Sequence, residues 1–220
     1  MKFRLLLMAL PLCLMLVSVK AQDLNWERVR DGSQHFVGVK FGADYATVMG
    51  VAYGQRLPGK GQSFLAAEFS SAFGQDLLDD WKLRLSYQRE LWHQGHFSLG
   101  LRPGLILRTY DSNIAKVLNV GIDLSAAVGY YRPKWMLAAE VNLDHTLASK
   151  LNHRFLKEIY PEIFNGWIGS TGGNLKVGAQ FARTIGGQQV ALRVGKVYAQ
   201  NFKDNPTLPF YFELSLLKVW

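Results

Sequence analysis

Four residues with side chains that enzymes use for hydrolysis lie close together in the last third of the sequence. They are Asp144, His145, Ser149 and His153, which provide a carboxylate, two imidazoles and a hydroxyl. A serine hydroxyl becomes a nucleophile when an imidazole takes its proton and a carboxylate orients the imidazole. The catalytic candidates are therefore Asp144, His145 and Ser149. No cofactor or metal is predicted, since the two histidines lack the third or fourth ligand that a metal site needs and no phosphate-binding loop is present.

Strands must position these residues, because apolar and polar residues alternate along most of the chain. In one segment Trp81, Leu83 and Leu85 fall on one face, while Lys82 and Arg84 fall on the other. Side chains of a strand switch faces at every residue, so this pattern predicts a two-faced strand. Ten such segments are predicted: 34–43, 47–57, 63–73, 81–92, 97–110, 117–131, 134–149, 174–185, 190–199 and 209–220. Most match or exceed the ~9–11 residues that a tilted strand needs to cross a bilayer.

The connections between the segments alternate in length, apart from a short first one at 44–46. Short connections rich in glycine and proline are found at 58–61, 93–96, 132–133 and 186–189. Longer ones are found at 74–80, 111–116, 150–173 and 200–208. In bacterial outer-membrane barrels short turns face the periplasm and long loops face outward. The prediction is an all-β, transmembrane, antiparallel up-and-down β-barrel of about ten strands, with eight strands and a flanking hairpin as the alternative.

The first residues are typical of an export signal. Lys2 and Arg4 precede an apolar run at 5–19, and Val19 and Ala21 are small residues at the positions that a signal peptidase reads. We therefore predict a cleaved signal peptide at 1–21, a short periplasmic segment at 22–33 and a barrel at 34–220. Cys13 would leave with the leader, so the exported chain must be held together by burial and hydrogen bonds. The predicted location is the outer membrane of a Gram-negative bacterium.

The two faces of the strands decide between a membrane barrel and a soluble lipocalin-like barrel, which would have its apolar face inside. Aromatic residues near strand ends share the apolar face: Trp81, Tyr87, Phe97, Tyr130, Trp135, Tyr198, Phe210 and Trp220. Such residues form girdles at membrane interfaces. Glycine residues share the polar face: Gly38, Gly42, Gly50, Gly54, Gly100, Gly104, Gly121, Gly129, Gly178 and Gly195. Glycine weakens a water-facing strand but suits a crowded concave interior, so the polar face is predicted to point inward.

The predicted interior is densely charged. Its charged residues are Lys40, Arg56, Glu68, Lys82, Arg84, Glu90, Arg102, Arg108, Asp123, Glu140, Asp144, Lys176, Arg193 and Glu213. Charges in a small lumen are costly unless they are paired. Interlocking ion pairs that fill a narrow lumen are therefore predicted, with a narrow small-solute channel as the alternative.

The long outward loop at 150–173 is predicted to contain a short helix that Pro161 ends, because apolar residues recur there at helical spacing. Its predicted binding surface consists of Phe155, Ile159, Tyr160, Phe164, Trp167 and Ile168. Such a surface should cap the barrel mouth, lie on the outer leaflet, or bind an envelope protein or a small ligand.

The last predicted strand alternates and finishes on an aromatic residue. Its apolar row consists of Phe210, Phe212, Leu214, Leu216 and Trp220, with Lys218 interrupting it. This row resembles the signal that the barrel-assembly machinery of Gram-negative bacteria recognises. By pattern, nearly the whole exported chain resembles small outer-membrane barrels of the OmpX and OmpW types. The resemblance implies a fold and a location among outer-membrane lipid and lipopolysaccharide, but no activity.

Two enzyme families also resemble parts of this chain. In omptin proteases, acidic residues on one outer loop face an aspartate and a histidine that lie two residues apart. Asp79 and Asp80 would match the acidic residues here, but Asp144 and His145 are adjacent and therefore depart from the omptin spacing. Lipid A deacylases place a histidine and a serine two apart on a membrane-facing strand; Leu147 occupies that serine position here.

The predicted function is therefore a structural, accessory or ligand- or partner-binding barrel, with a surface enzyme or a narrow porin as alternatives. The chain has a formal net charge of +8, but its basic residues are scattered among acidic ones, so no nucleic-acid partner is predicted.

Overall fold

The computed structural model describes residues 24–30, 32–44, 46–59, 61–73, 78–153, 155–199 and 208–220. The predicted leader at 1–21 lies outside these residues. The described residues form eleven strands: β1 His35–Ala43, β2 Thr47–Arg56, β3 Ser63–Ala72, β4 Asp80–Gln94, β5 Phe97–Asp111, β6 Ala115–Arg132, β7 Trp135–His153, β8 Gly166–Ile168, β9 Gly172–Ile185, β10 Gln188–Ala199 and β11 Phe210–Val219. The same part of the chain contains two short helices, α1 Trp26–Val29 and α2 Phe155–Ile159. No helix in the described ranges is long and apolar enough to cross a membrane.

Ten of the strands close into one antiparallel barrel. Each strand pairs with its neighbours in the chain, except that β7 pairs with β9 and the short β8 is added to the outer end of β7. The ring is closed by β1 and β11, where Phe36 lies opposite Val219 and Ala43 opposite Phe212. The ten-stranded prediction is confirmed. The alternative of eight strands and a separate hairpin is wrong, because β1 and β2 are both members of the ring.

The barrel wall is uneven in height. β1, β2 and β3 contain 9 or 10 residues, whereas β6 and β7 contain 18 and 19. A strand rises roughly 3.3 Å per residue, so the wall formed by β6 and β7 extends well beyond the opposite wall. We call the end with the long connections the loop end. The other end, which holds both termini of the ring and the short turns, is the turn end.

The strands bury their polar side chains and expose their apolar ones. In β11, Phe212 is 44% exposed and the next residue, Glu213, is 5% exposed. The same alternation continues along the strand, with Leu214 and Leu216 exposed and Ser215 buried. This is the reverse of a water-soluble core, in which charged residues are almost never buried unless they are paired.

Glycine residues make room for large side chains inside the barrel. Gly178 and Gly195 lie opposite each other on β9 and β10, and the Tyr211 side chain passes over both. A methyl group added at Gly54 would likewise overlap the Phe36 ring. These positions need glycine because the space that a Cβ would occupy is already filled.

An apolar plug seals the turn end. Leu24, Trp26 and Val29 are buried in a cluster with residues from around the ring, including Phe36, Phe64, Tyr131, Met136 and Leu217. Hydrogen bonds hold the segment in place, since the Asn25 side chain donates to the Arg132 carbonyl at 2.7 Å and Arg28 donates to the Gly187 carbonyl at 2.6 Å. The segment that the sequence presented only as a periplasmic tail thus packs into the barrel.

Candidate binding pocket

Ion pairs fill the middle of the barrel, above the plug. Glu68 and Arg84 lie directly opposite each other on β3 and β4, and their side chains meet at 2.9 Å. Arg84 also reaches Asp123 at 3.1 Å, and Lys40 lies 2.9 Å from Glu68 and 2.8 Å from Glu213. The register of neighbouring strands accounts for the Glu68–Arg84 pair, whereas Lys40–Glu68 and Arg84–Asp123 join strands that are not neighbours, so these side chains reach across the lumen.

A second part of the network centres on Glu140. Its carboxylate accepts from the Arg193 guanidinium at 2.8 Å and from the Tyr211 hydroxyl and the Gln180 amide. Arg193 also reaches Glu213 at 2.7 Å, so the two parts are joined. All of these side chains are buried or nearly so. The cross-section of the barrel is therefore occupied by paired ions.

A charged floor lies on the loop-end side of this network. Lys82 Nζ is 3.1 Å from Asp44 and 3.3 Å from Asp144, and Lys176 contacts the other oxygen of Asp44. Asp44 lies beyond the end of β1. Burial alone would raise the pKa of its carboxyl, but the Lys176 and Lys82 ammonium groups hold that pKa well below its usual range. Asp44 is therefore an anion that ties together the two lysines.

Above this floor a cavity of about 400 Å³ opens towards the loop end. Its polar lining consists of Asp44, Lys82, Arg108, Asn119, Asp144, Thr146, Thr171, Asn174 and Lys176. Ile106 and Val197 add apolar wall. The Arg108 guanidinium donates two hydrogen bonds to the Asp80 carboxylate, from Nε to Oδ1 at 3.0 Å and from Nη2 to Oδ2 at 2.7 Å. Asn119 Oδ1 is buried and has no hydrogen-bond partner among the residues that the structure describes. The cavity is a blind pocket, since the ion network and the plug lie beneath it.

A β-bulge shapes one wall of the pocket. Val120 lies opposite Ala148, but Gly121 lies opposite Thr146, so Leu147 is the extra residue on β7. A bulge re-aims the side chains beyond it. Thr146, before the bulge, keeps the inward parity of Glu140 and Asp144 and lines the pocket, and Leu147 is exposed. Beyond the bulge Ser149 is re-aimed inward and is fully buried, with its hydroxyl 3.0 Å from that of Thr171.

The structure does not bring the three catalytic candidates together. Asp144 points into the lumen towards Lys82, and Ser149 is bonded to Thr171. His145 lies on the outward face, with its Nε2 3.3 Å from the hydroxyl of Ser170, a residue that the sequence had not singled out. The arrangement offers no carboxylate–imidazole–hydroxyl relay among the predicted residues.

The other groups considered for chemistry have structural partners. His153 Nδ1 lies 3.0 Å from both the Phe164 carbonyl and the Asn165 side chain, so it helps to close the long loop. In the ranges that the structure describes, no group of three or more His, Cys, Asp or Glu residues could hold a metal ion.

The predicted lumen charges divide among three levels of the barrel. The central network holds Lys40, Glu68, Arg84, Arg102, Asp123, Glu140, Arg193 and Glu213. The pocket holds Lys82, Arg108, Asp144 and Lys176. At the turn end Arg56 donates to the Val29 carbonyl at 3.0 Å and Glu90 accepts from Arg30 at 2.5 Å, so both contact the plug segment. The sequence missed Asp44 because it lies in a short connection rather than in a strand.

The predicted loop surface does not line the pocket. Ile159, Tyr160, Phe164 and Trp167 are each 50–57% exposed, and Ile168 is half-buried. The Phe155 side chain lies outside the described part of the chain. On the last strand, Phe210, Phe212, Leu214, Leu216 and Trp220 form an exposed apolar row that Lys218 interrupts.

The fold and its interior define a closed ten-stranded antiparallel barrel with an apolar exterior, a core of ion pairs and a blind pocket at one end. No model of a known protein family matches the chain, and no curated protein is significantly similar to it.

Proposed function

We propose that this protein is an integral outer-membrane β-barrel that does not conduct and that binds a small ligand in its outward-facing pocket. The observation that carries the proposal is the inverted distribution of side chains. Large apolar residues are exposed all around the ring, for example Val51, Leu85, Leu105, Leu137 and Phe181. Monomeric proteins in water rarely expose contiguous apolar surface of this extent, whereas hydrocarbon would cover it.

Aromatic residues at both ends of the barrel support a membrane position. Tyr53, Trp92, Phe97, Trp135 and Trp220 lie at the turn end, and Phe41, Phe73, Trp81, Tyr110 and Phe210 lie at the loop end. From Phe210 to Trp220 the chain rises roughly 33 Å, which becomes roughly 25 Å along the barrel axis at a tilt of about 40°. An apolar band of about 25 Å is what outer-membrane barrels present to lipid.

The orientation follows from the termini and the loops. In outer-membrane barrels the short turns face the periplasm, so the turn end with its plug would be periplasmic and the pocket would open to the outside. The exposed row that ends at Trp220 would be available to the barrel-assembly machinery, and outer-membrane lipid and lipopolysaccharide would surround the wall. The blind interior favours binding over conduction, and the separation of Asp144, His145 and Ser149 removes support for a hydrolase.

A second role is favoured by one specific observation. Ile159, Tyr160, Phe164 and Trp167 are exposed next to the taller wall and not in the pocket. Exposed apolar patches of this kind mark sites of contact with proteins or membranes. An envelope protein that binds this loop is therefore the second candidate partner, in addition to the ligand of the pocket.

Cysteine labelling in whole cells tests the membrane orientation. Single cysteines would replace Thr146 in the pocket, Ser86 in the middle of the lumen and the exposed Gln188 at the turn-end start of β10, with Cys13 changed to Ala. A membrane-impermeant maleimide should label T146C in intact cells, Q188C only after the outer membrane is permeabilised, and S86C only after unfolding. Labelling of Q188C but not T146C in intact cells would reverse the orientation, and a detergent-free soluble monomer would remove the membrane proposal altogether.

A planar-bilayer measurement tests the sealed lumen. The purified barrel should produce no ion current, because Trp26 and its neighbours close one end and the ion network fills the middle. Steady conductance that changes in Arg102→Ala or Glu140→Ala would show instead that ions pass through the network, and would favour the narrow-porin alternative.

A further inference from the structure

We infer that the pocket takes a small, uncharged ligand rich in hydroxyl groups, of the size of a monosaccharide or disaccharide. This inference rests on the proposed binding role and specifies its chemistry. The cavity of about 400 Å³ lies near the lower end of the ~300–1,000 Å³ that small-molecule sites occupy. A ligand of one or two sugar rings suits that volume, a folded peptide is too large for it, and the mostly polar lining does not suit a lipid chain.

The charges around the pocket already neutralise each other. Lys82 and Lys176 meet Asp44, Lys82 also meets Asp144, and Arg108 meets Asp80 through two hydrogen bonds. An anionic or cationic ligand would have to displace one partner of a buried pair, and leaving a buried charge without its partner is costly. An uncharged ligand can bind without that cost.

The hydrogen-bonding groups of the pocket match hydroxyl groups. A hydroxyl both donates and accepts. Asn119 Oδ1 is a buried acceptor that lacks a donor within the described chain, and the Asp144 side chain, 20% exposed, can accept as well. The Arg108 side chain, 30% exposed, presents donors on the same wall, since it lies directly opposite Asn119 in the pairing of β5 with β6. A donor on β5 and acceptors on β6 and β7 therefore lie side by side on one wall of the pocket.

The apolar part of the lining fits the same ligand class. Ile106 and Val197 present aliphatic surface to the cavity. A sugar ring has C–H groups on its faces and hydroxyl groups around its edge, so it can contact both kinds of wall at once. Inorganic phosphate would leave the aliphatic wall unused.

Ligand-observed NMR on the refolded full-length protein in detergent tests the inference. One panel would contain neutral monosaccharides, disaccharides and polyols, and a second would contain amino acids, inorganic phosphate and sulfate. We expect binding from the first panel, with an affinity that changes less than about twofold when salt is raised tenfold, because no ion pair forms with the ligand.

Two variants and a matched control locate the binding. Asn119→Leu removes the free acceptor and should weaken sugar binding roughly fivefold to tenfold, the loss of one hydrogen bond. Ala199→Trp should fill the pocket and abolish binding, because Ala199 lines it. Asn152→Leu, on the exposed outer end of β7, should bind like the wild type. Heat-modifiable migration on gels would show that each variant is folded.

The outcomes separate this inference from the proposed function. Salt-sensitive binding of phosphate or an amino acid, without sugar binding, would overturn the neutral-ligand inference but keep a binding role. An absence of binding from both panels, or equal sugar affinity in Asn119→Leu and Asn152→Leu, would overturn it as well. In each case the labelling and conductance results would still stand on their own.

Discussion

Removing the Arg193 charge should strongly destabilise the barrel. The Arg193 guanidinium lies 2.8 Å from Glu140 and 2.7 Å from Glu213, and its side chain is 6% exposed. Replacing it with methionine keeps most of the side-chain volume but removes the cation. Glu213 would keep its ion pair with Lys40 at 2.8 Å. Glu140 would keep hydrogen bonds from Tyr211 and Gln180 but, in the part of the chain that the structure describes, would have no ion pair.

The size of the effect follows from the burial of Glu140. Breaking a buried ion pair by removing one partner costs about 3–5 kcal/mol, because the remaining charge is left uncompensated. We expect about 3 kcal/mol for Arg193→Met, at the lower end, since two hydrogen bonds to the Glu140 carboxylate remain. Arg183→Met is the matched control, because Arg183 is exposed on the outer face of the neighbouring strand β9. Near the ends of the lipid-facing band an outward Arg costs about 0–1 kcal/mol, so Arg183→Met should leave the free energy of unfolding unchanged or raise it by about 1 kcal/mol or less.

Reversible urea unfolding in lipid vesicles, followed by tryptophan fluorescence, would measure both variants. Adding Glu140→Gln to Arg193→Met should recover at least half of the lost stability, because it removes the uncompensated charge and keeps an amide that can hydrogen bond. A loss below about 1 kcal/mol for Arg193→Met would refute the reasoning, since the pair would then behave as an exposed one. A double variant less stable than Arg193→Met would refute it too.

Three further predictions concern the plug, the pocket floor and the glycine residues. Trp26→Ala should lower the free energy of unfolding by about 3–5 kcal/mol because it leaves a cavity in the plug, and urea unfolding would show it. The pKa of Asp44 is lower in the folded barrel than in the unfolded chain, where it is about 3.9. Asp44 therefore contributes its full stabilisation of the fold above about pH 3.9, and this contribution is lost as the pH falls through the pKa of the folded state. The stability difference between wild type and Asp44→Asn should accordingly be constant from about pH 7 to 5 and shrink below about pH 4. Gly54→Ala should cost about 1–3 kcal/mol because its methyl group overlaps the Phe36 ring, whereas Gly169→Ala, which meets no atom within 4 Å, should cost less than about 0.5 kcal/mol in the same urea assay.

The strands of the barrel could be predicted from the sequence because their signal is local. Alternation with a period of two is visible in any short window, and the turns between strands carry glycine and proline. The predicted loop at 150–173 is the exception, since β8 and the first residues of β9 lie within it, and β7 continues to His153 although the predicted segment ended at 149. The last residues of β7 are held by pairing with β6, where Ala115 lies opposite His153, and that partner cannot be read from the β7 sequence.

The plug and the pocket wall could not be predicted, because they depend on contacts that are distant in sequence. Trp26 belongs to a four-residue helix, which is too short to show a periodic pattern of apolar residues. Its side chain packs over Gly100 on β5, a residue distant in sequence. Ser149 lies four residues after His145, and in a regular strand this spacing places two side chains on the same face. The bulge at Leu147 interrupts this regularity, so the two side chains point to opposite sides of the wall.

The ion pairs have a further role in a barrel that lipid surrounds. A register shift of one residue would move every side chain of a strand to the other face of the sheet. A shift of two residues would keep the apolar side chains outside, and the surrounding hydrocarbon would not distinguish it from the observed register. The paired charges do distinguish them, because Glu68 lies opposite Arg84 and Arg193 opposite Glu213 only in the observed register. Pairing therefore fixes the register of the central strands and also fills the lumen. At the loop end the pairing satisfies the ions, whereas Asn119 Oδ1 in the pocket lining has no hydrogen-bond partner among the residues that the structure describes, and it is the acceptor to which the inferred ligand would donate.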